Sequence, residues 1–282
     1  MKIGKRHIQL FILLFAVSSL LFHSPSEVFA AHGDITAVRA QSLGNHFEYE
    51  DGINARDNSL VQVDSDTYAL AYQGPDADGW IKTFTISADG STITEVDNLE
   101  HDNEFSWYQS LIKVDSDTFA LAYAGERGGF QQQGFISTFT IDSDGDITPI
   151  RIQNHAAFAS ASANLKHETI RSNVNSLVHV NDDTYALAYE GNGSGLRIAT
   201  FTISSDGSTI TELDDLSDGE NCNQGKYQSL VKVYSDTIAR AWCGTSGDGF
   251  LKTFSIAGDG TITAKSTLEF DTEQSTYHSL VQ

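Results

Sequence analysis

The stretch Ser59-Leu-Val-Gln-Val-Asp-Ser-Asp-Thr-Tyr-Ala-Leu-Ala-Tyr72 decides the reading of this chain, because it recurs. It returns as Ser110-Leu-Ile-Lys-Val-Asp-Ser-Asp-Thr-Phe-Ala-Leu-Ala-Tyr123 and as Ser176-Leu-Val-His-Val-Asn-Asp-Asp-Thr-Tyr-Ala-Leu-Ala-Tyr189. A more diverged copy is Ser229-Leu-Val-Lys-Val-Tyr-Ser-Asp-Thr-Ile-Ala-Arg-Ala-Trp242, and a fifth start stands at Ser279. The starts are 51, 66, 53 and 50 residues apart. Self-similarity at a nearly fixed period is the mark of a repeat architecture, in which each unit is one supersecondary structure.

Each unit contains four extended segments. In the first they are Leu60–Val63, Thr67–Gln73, Trp80–Ser87 and Thr92–Leu99, taken as strands A to D. β-Branched and aromatic residues fill them, and Gly and Asp punctuate them. In strand B, Tyr68, Leu70 and Tyr72 share one face and Ala69 and Ala71 the other, because strand side chains alternate. Neither face is polar, so the strand is covered on both sides. A large face opposed to a small one lets neighbouring sheets interlock. The turns agree: Asp64-Ser-Asp-Thr67 joins A to B, and Asp89-Gly90, Asp144-Gly145, Asp206-Gly207 and Asp259-Gly260 supply the positive φ of a tight C–D turn. The expected fold is therefore all-β, a β-propeller of four-stranded antiparallel blades of about 51 residues each. An insert within 156–171 accounts for the long spacing and is the one stretch with helical character. Gly33-Asp34-Ile35-Thr36 reads as a strand D and Tyr277–Gln282 stops inside a strand A, so the ring is expected to be incomplete in this chain.

The repeat domain spans 31–282, and residues 1–30 form an address. Lys2, Lys5 and Arg6 precede an apolar run, Leu10–Phe22, and Val28-Phe29-Ala30 offers a small-residue cleavage site. The run is shorter than the ~20 residues that span a bilayer, so the expectation is a secreted or cell-surface protein without membrane insertion. The whole chain carries a net charge of −21, and removal of three basic residues and one acid with the leader would bring it to −23. Such a surface repels nucleic acid. Cys222 and Cys243 are the two cysteines, and an oxidising compartment would join them in one disulfide.

The turn residues carry a partial resemblance. Ser87-x-Asp89-Gly90-x-Thr92-Ile93 and Ser205-x-x-Ser208-Thr209, surrounding Asp206-Gly207, resemble a shortened Asp-box of sialidase-like propellers. The residue between Asp and Gly is missing, and Ile stands where an aromatic is usual. The resemblance implies a structural turn between the third and fourth strands and no activity. From Gly33 to Gln282 the unit is also similar to uncharacterised secreted propeller-like repeats of environmental bacteria and archaea, which again brings no activity.

The longer B–C and D–A connections share one rim, and variable loops on a repeated scaffold are where function concentrates. Phe105, Trp107, Tyr108, His101, Tyr227 and Tyr277 are the candidate ligand-binding residues on it, aromatics suited to a glycan or protein ligand. His46, Phe47, Tyr49, Arg127, Phe130, His155, Phe158 and His278 belong to the same rim. Asp142, Asp144 and Asp146 surround Gly145 like the opening of a calcium loop, but the closing carboxylate is absent. The expected cofactor is none, with calcium as the alternative. His167-Glu168 lacks the second histidine of a zincin, the Gly-rich loops at Ser194 and Ser246 make no nucleophile elbow, and Arg56, Arg127, Arg151, Arg171, Arg197 and Arg240 have no repeating placement. Three functions stay open: a binding or adhesion propeller, a structural surface-assembly component, and a polysaccharide-acting enzyme, with binding the first reading.

Overall fold

The computed structural model describes residues 56–126, 132–152, 162–168, 171–221, 228–244, 246–273, 275–276 and 278–281. The leader, Gly33–Thr36, Cys222, Tyr227 and Tyr277 lie outside the described residues.

Each described repeat is a four-strand antiparallel meander. The first blade is β1 (Arg56–Gln62), β2 (Thr67–Gln73), β3 (Gly79–Ile86) and β4 (Ile93–Asp102). The third is β11 (Asn173–Asn181), β12 (Thr184–Glu190), β13 (Gly195–Ile203) and β14 (Ile210–Asn221). The fourth is β15 (Ser229–Tyr234), β16 (Thr237–Cys243), β17 (Gly249–Ile256) and β18 (Ile262–Asp271). In the second, β5 (Ser106–Lys113), β6 (Thr118–Glu126) and β7 (Gln132–Ile141) are followed by an outer strand in two pieces. β8 (Ile147–Ile152) pairs with one half of β7, and β10 (Leu165–Glu168) pairs with the other half. Between them β9 (Ser162–Ala163) runs parallel to β8. The helical character expected of the insert is corrected here: its described part is strand, because Leu165 and Lys166 complete the ladder that β8 leaves at Ile152. The insertion interrupts strand D and does not follow it.

The C–D turns hold the conformation their Asp-Gly pairs suggest. Gly90, Gly145, Gly207 and Gly260 have φ of 68°, 91°, 68° and 88°, a region open to glycine at little cost. In the first turn Asp89 Oδ1 accepts from the Ser91 amide at 3.0 Å and from the Ser87 hydroxyl at 2.7 Å. Asp206 does the same with Ser208 and Ser204 at 3.0 and 2.6 Å. These bonds to the ionised form hold both carboxyls at about 2, the Ser87 and Ser204 hydroxyls contributing most. Asp142 Oδ1 likewise accepts the Asp144 and Asp146 amides, both at 3.0 Å.

Blades stack large face to small face. Ala69 and Ala71 of blade one meet Phe119, Leu121 and Tyr123 of blade two. Ala120 and Ala122 meet Tyr185, Leu187 and Tyr189, and Ala186 and Ala188 meet Ile238 and Phe254. All are buried, and each large side chain removed from water is worth about 1.5–3 kcal/mol before entropy is counted. Hydrogen bonds repeat with the blades. Ser59 Oγ accepts the Leu111 amide, Ser110 that of Leu177, Ser176 that of Leu230 and Ser229 that of Leu280, each at 2.9 Å. Thr83, Thr138 and Thr200 donate to the carbonyls of Gly145, Gly207 and Gly260 in the next C–D turn, at 2.6, 2.8 and 2.7 Å. Four-stranded antiparallel sheets joined face to face through their innermost strands make this chain a β-propeller.

Candidate functional site

The D–A connection from blade one to blade two holds four of the sequence candidates, His101, Phe105, Trp107 and Tyr108, and it sorts them. Phe105 is 44% exposed. Its ring lies flat on Trp107, with centroids 5.1 Å apart and planes 1° from parallel. The Glu126 amide donates to the Phe105 carbonyl at 3.1 Å, which ties the loop to the end of β6. Tyr108 is half-buried in a left-handed conformation, φ 56°, at a bulge of β5. Its carbonyl accepts from the Asn175 amide of the next blade at 3.3 Å. Its backbone therefore serves the inner ring of the blade stack.

His101 is a correction. It was expected on the exposed rim, and it is fully buried inside the sheet. β4 runs through Asp102, which pairs with Gly79, and the histidine is the bulged residue between Glu100 and Asp102, held within the strand. Its ring packs edge-on against Tyr123 at 4.8 Å and Phe139 at 6.2 Å, across the seam with blade two. Gly79 is glycine because a Cβ there would strike the imidazole. His167 repeats the arrangement over Gly134, against Tyr189 at 5.1 Å and Phe201 at 5.8 Å. Burial pushes the His167 imidazole down to about 3. Tyr227 and Tyr277 lie outside the described residues, as does Cys222; Cys243 is the buried last residue of β16.

Acidic residues precede the aromatic pair in sequence, at Glu100, Asp102 and Glu104. The Glu104 amide donates to Asp102 Oδ1 at 3.1 Å, directly before Phe105. Across β3 and β4, Glu100 pairs opposite Trp80, next to Asp78. Burial, a hydrogen bond with Glu100 and the charges of Glu100, Asp76 and Asp102 push the Asp78 carboxyl up to about 7.

The equivalent connection into blade three is built otherwise. Arg171 stands four residues after His167 as Phe105 stands four after His101, and Asn173 takes the place of Trp107. Arg171 Nη2 lies 3.1 Å from the buried Glu190 carboxylate. Deeper in blade three, Arg197 binds Asp215 at 2.6 Å and donates to the Tyr189 hydroxyl at 3.1 Å. Burial and Asp215 raise the Tyr189 phenol above its ordinary range.

No known protein family and no curated protein matches the sequence. Solved structures do match in shape. A Bacteroides uniformis protein assigned as a 6-phosphogluconolactonase superposes with a TM-score of 0.51 at 14% identity, over 76% of this chain and 57% of its own. A K499G mutant of the NanB sialidase from Streptococcus pneumoniae gives 0.48 at 15% identity, over 72% of this chain and 30% of that one. The periplasmic gluconolactonase PpgL of Pseudomonas aeruginosa gives 0.42 at 12%, over 77% and 73%. The chain spans less than two thirds of the length of the first two. At these identities the likeness is one of fold alone.

Sequence reading missed two features. One is the inner ring of amides: Asn175 reaches Tyr108, and Gln228 donates to the Val174 carbonyl at 3.1 Å. Asp57, Tyr108 and Val174, each two residues before a repeat serine, have φ of 54–56°. The signal was an amide side chain directly before the first four repeat serines, at Asn58, Gln109, Asn175 and Gln228. The other is a charge cluster in the seam between blades three and four. Arg240 is fully buried, 2.7 Å from Asp218, while Lys252 lies 3.3 Å from both Asp218 and Glu220.

Proposed function

We propose that this chain is an exported, cell-surface or secreted propeller module that binds a glycan or protein ligand on the rim of its D–A connections, with Phe105 and Trp107 as the contact residues. The observation that carries the reading is the exposed Phe105 ring stacked parallel on the half-buried Trp107, on a scaffold that is otherwise repeated. The next copy has Arg171 and Asn173 there, so packing of the blades does not require aromatics at these positions. Flat apolar faces suit sugar rings and planar side chains. The apolar leader and the dispersed negative charge suit an extracellular setting.

The test is a glycan and peptide array probed with the wild type and with Phe105→Ala/Trp107→Ala. Each ring is worth on the order of 1 kcal/mol in a stacked contact, so loss of both should weaken binding about tenfold or more. Ser65→Ala/Ser91→Ala, on the opposite rim, should bind as wild type. Binding that survives loss of both rings would sink the assignment of the site.

A further inference from the structure

We infer that Asn192 is the acceptor of an N-linked glycan, attached at the tip of the loop between β12 and β13. The inference rests on the export reading above, because such glycans are placed on surface loops of exported chains.

Two observations carry it. The first is in the sequence. Asn192-Gly193-Ser194 places a hydroxyl residue two positions after an asparagine, with no proline between them. Glycan transfer to asparagine reads that pattern. Of the 13 asparagines in the chain, only Asn192 has it. Asn58 and Asn175 are followed directly by serine, and a hydroxyl one position on does not serve. The chain therefore offers a single acceptor, and one peptide decides the question.

The second is the place of the motif in the fold. Asn192–Ser194 form one short turn, and Gly193, at φ 72° and ψ 21°, reverses the chain inside it. Asn192 and Gly193 are exposed. A Cβ built on Gly193 would meet nothing within 4 Å, so the space over the tip is open. The loop closes through its backbone, the Gly191 amide donating to the Gly195 carbonyl at 2.8 Å. The B–C loops of blades one and four close in the same way, Gly74 to Asp78 at 2.9 Å and Gly244 to Asp248 at 2.8 Å, and neither contains asparagine. The fold of this loop does not require Asn192. In the transfer, Asn192 Nδ2 forms a bond to the anomeric carbon of an oligosaccharide carried on a lipid diphosphate. The bond from that carbon to the diphosphate oxygen breaks, the lipid diphosphate leaves, and the amide gives up one proton. The product adds bulky polar surface to blade three.

The experiment recovers the full chain from the organism that makes it and follows the tryptic peptide 172–197 by mass spectrometry. The peptide is measured before and after an amidase releases N-linked glycans in heavy-oxygen water. The expected result is a glycan mass on this peptide and, after release, an aspartate bearing heavy oxygen at position 192 alone. Asn-Gly pairs also lose ammonia spontaneously, so the deciding comparison is between variants that keep the pair. Ser194→Ala should lose the glycan, and Ser194→Thr should retain it. Asn192→Gln should lose it as well, and all three should melt as the wild type does. An exported chain with its leader removed and Asn192 unmodified overturns the inference and leaves the export reading standing. A chain retained in the cell with its leader attached overturns the export reading, and the inference falls with it. A glycan that survives Ser194→Ala also overturns the inference, because its attachment would not depend on the motif.

Discussion

The seam between blades two and three and the seam between blades three and four occupy the same place in the repeat and are closed by opposite chemistry. In the former, His167 lies edge-on against Tyr189 and Phe201, and Leu187 fills the centre of the large face. In the latter, Arg240 takes the leucine's place, its guanidinium 4.6 Å from the Trp242 ring and 5.4 Å from Phe254. Asp218 and Glu220 come from β14 to meet it and Lys252. The difference teaches that the stack specifies volume and contact in each seam and leaves polarity free, provided that every buried charge arrives with its counter-charge. Burying ions is costly even when paired, and far costlier when one partner is missing.

The largest way to break this comparison is Arg240→Leu, which installs the residue that Leu121 and Leu187 supply elsewhere. It leaves Asp218 buried with Lys252 as its remaining cation and should cost about 3 kcal/mol or more in chemical denaturation. Arg240→Leu/Asp218→Leu should recover most of that loss, which a purely volumetric account of the seam does not predict. No recovery would show that the charges are coupled to more of blade four than the seam.

The histidine seam can be sharpened by pH. The unfolded chain protonates this imidazole below its ordinary value of 6.5, and the folded chain does so at about 3. Between those values the unfolded state binds more protons, so stability falls on acidification, by up to about 1.4 kcal/mol per pH unit from this site. Phe270 already stands at the equivalent position in blade four, over Gly249. His167→Phe should therefore keep the packing and reduce the slope of stability against pH between pH 6 and pH 4. A variant with an unchanged slope would place the acid sensitivity elsewhere. The smallest expected effect is that of Ser110→Ala, which removes the acceptor for the Leu177 amide common to all seams and should cost about 1 kcal/mol. Amide exchange at Leu177, faster in the variant, checks that the loss is local to this bond.

The seams also explain what could be read in advance. Strand B alternates large and small in every copy, and period-2 alternation on two apolar faces has few structural meanings; the blades and their stacking follow from Tyr68–Tyr72 alone. The Asp-Gly turns were equally plain. Arg240 read as divergence, because a buried guanidinium is intelligible only beside Asp218, twenty-two positions away and in another sheet. His101 was misplaced for a related reason. Strand D was expected to end at Leu99, and a bulge between Gly79 and Trp80 in the pairing carries it to Asp102. The stack of Phe105 on Trp107 lay within reach of sequence, as two aromatics flanking Ser106, but its parallel geometry did not.

The serine-to-leucine bond has a consequence for how such a chain can grow. The units that begin at Ser110, Ser176 and Ser229 carry both halves of it on adjacent residues, an acceptor hydroxyl offered forward and a donor amide offered back. A tandem duplicate is thus compatible with its parent on arrival, with no new complementarity to evolve, as in any head-to-tail assembly. Copies can then drift in their loops and even in the polarity of their seams, as Arg171 and Arg240 have done, while remaining interchangeable at the joint.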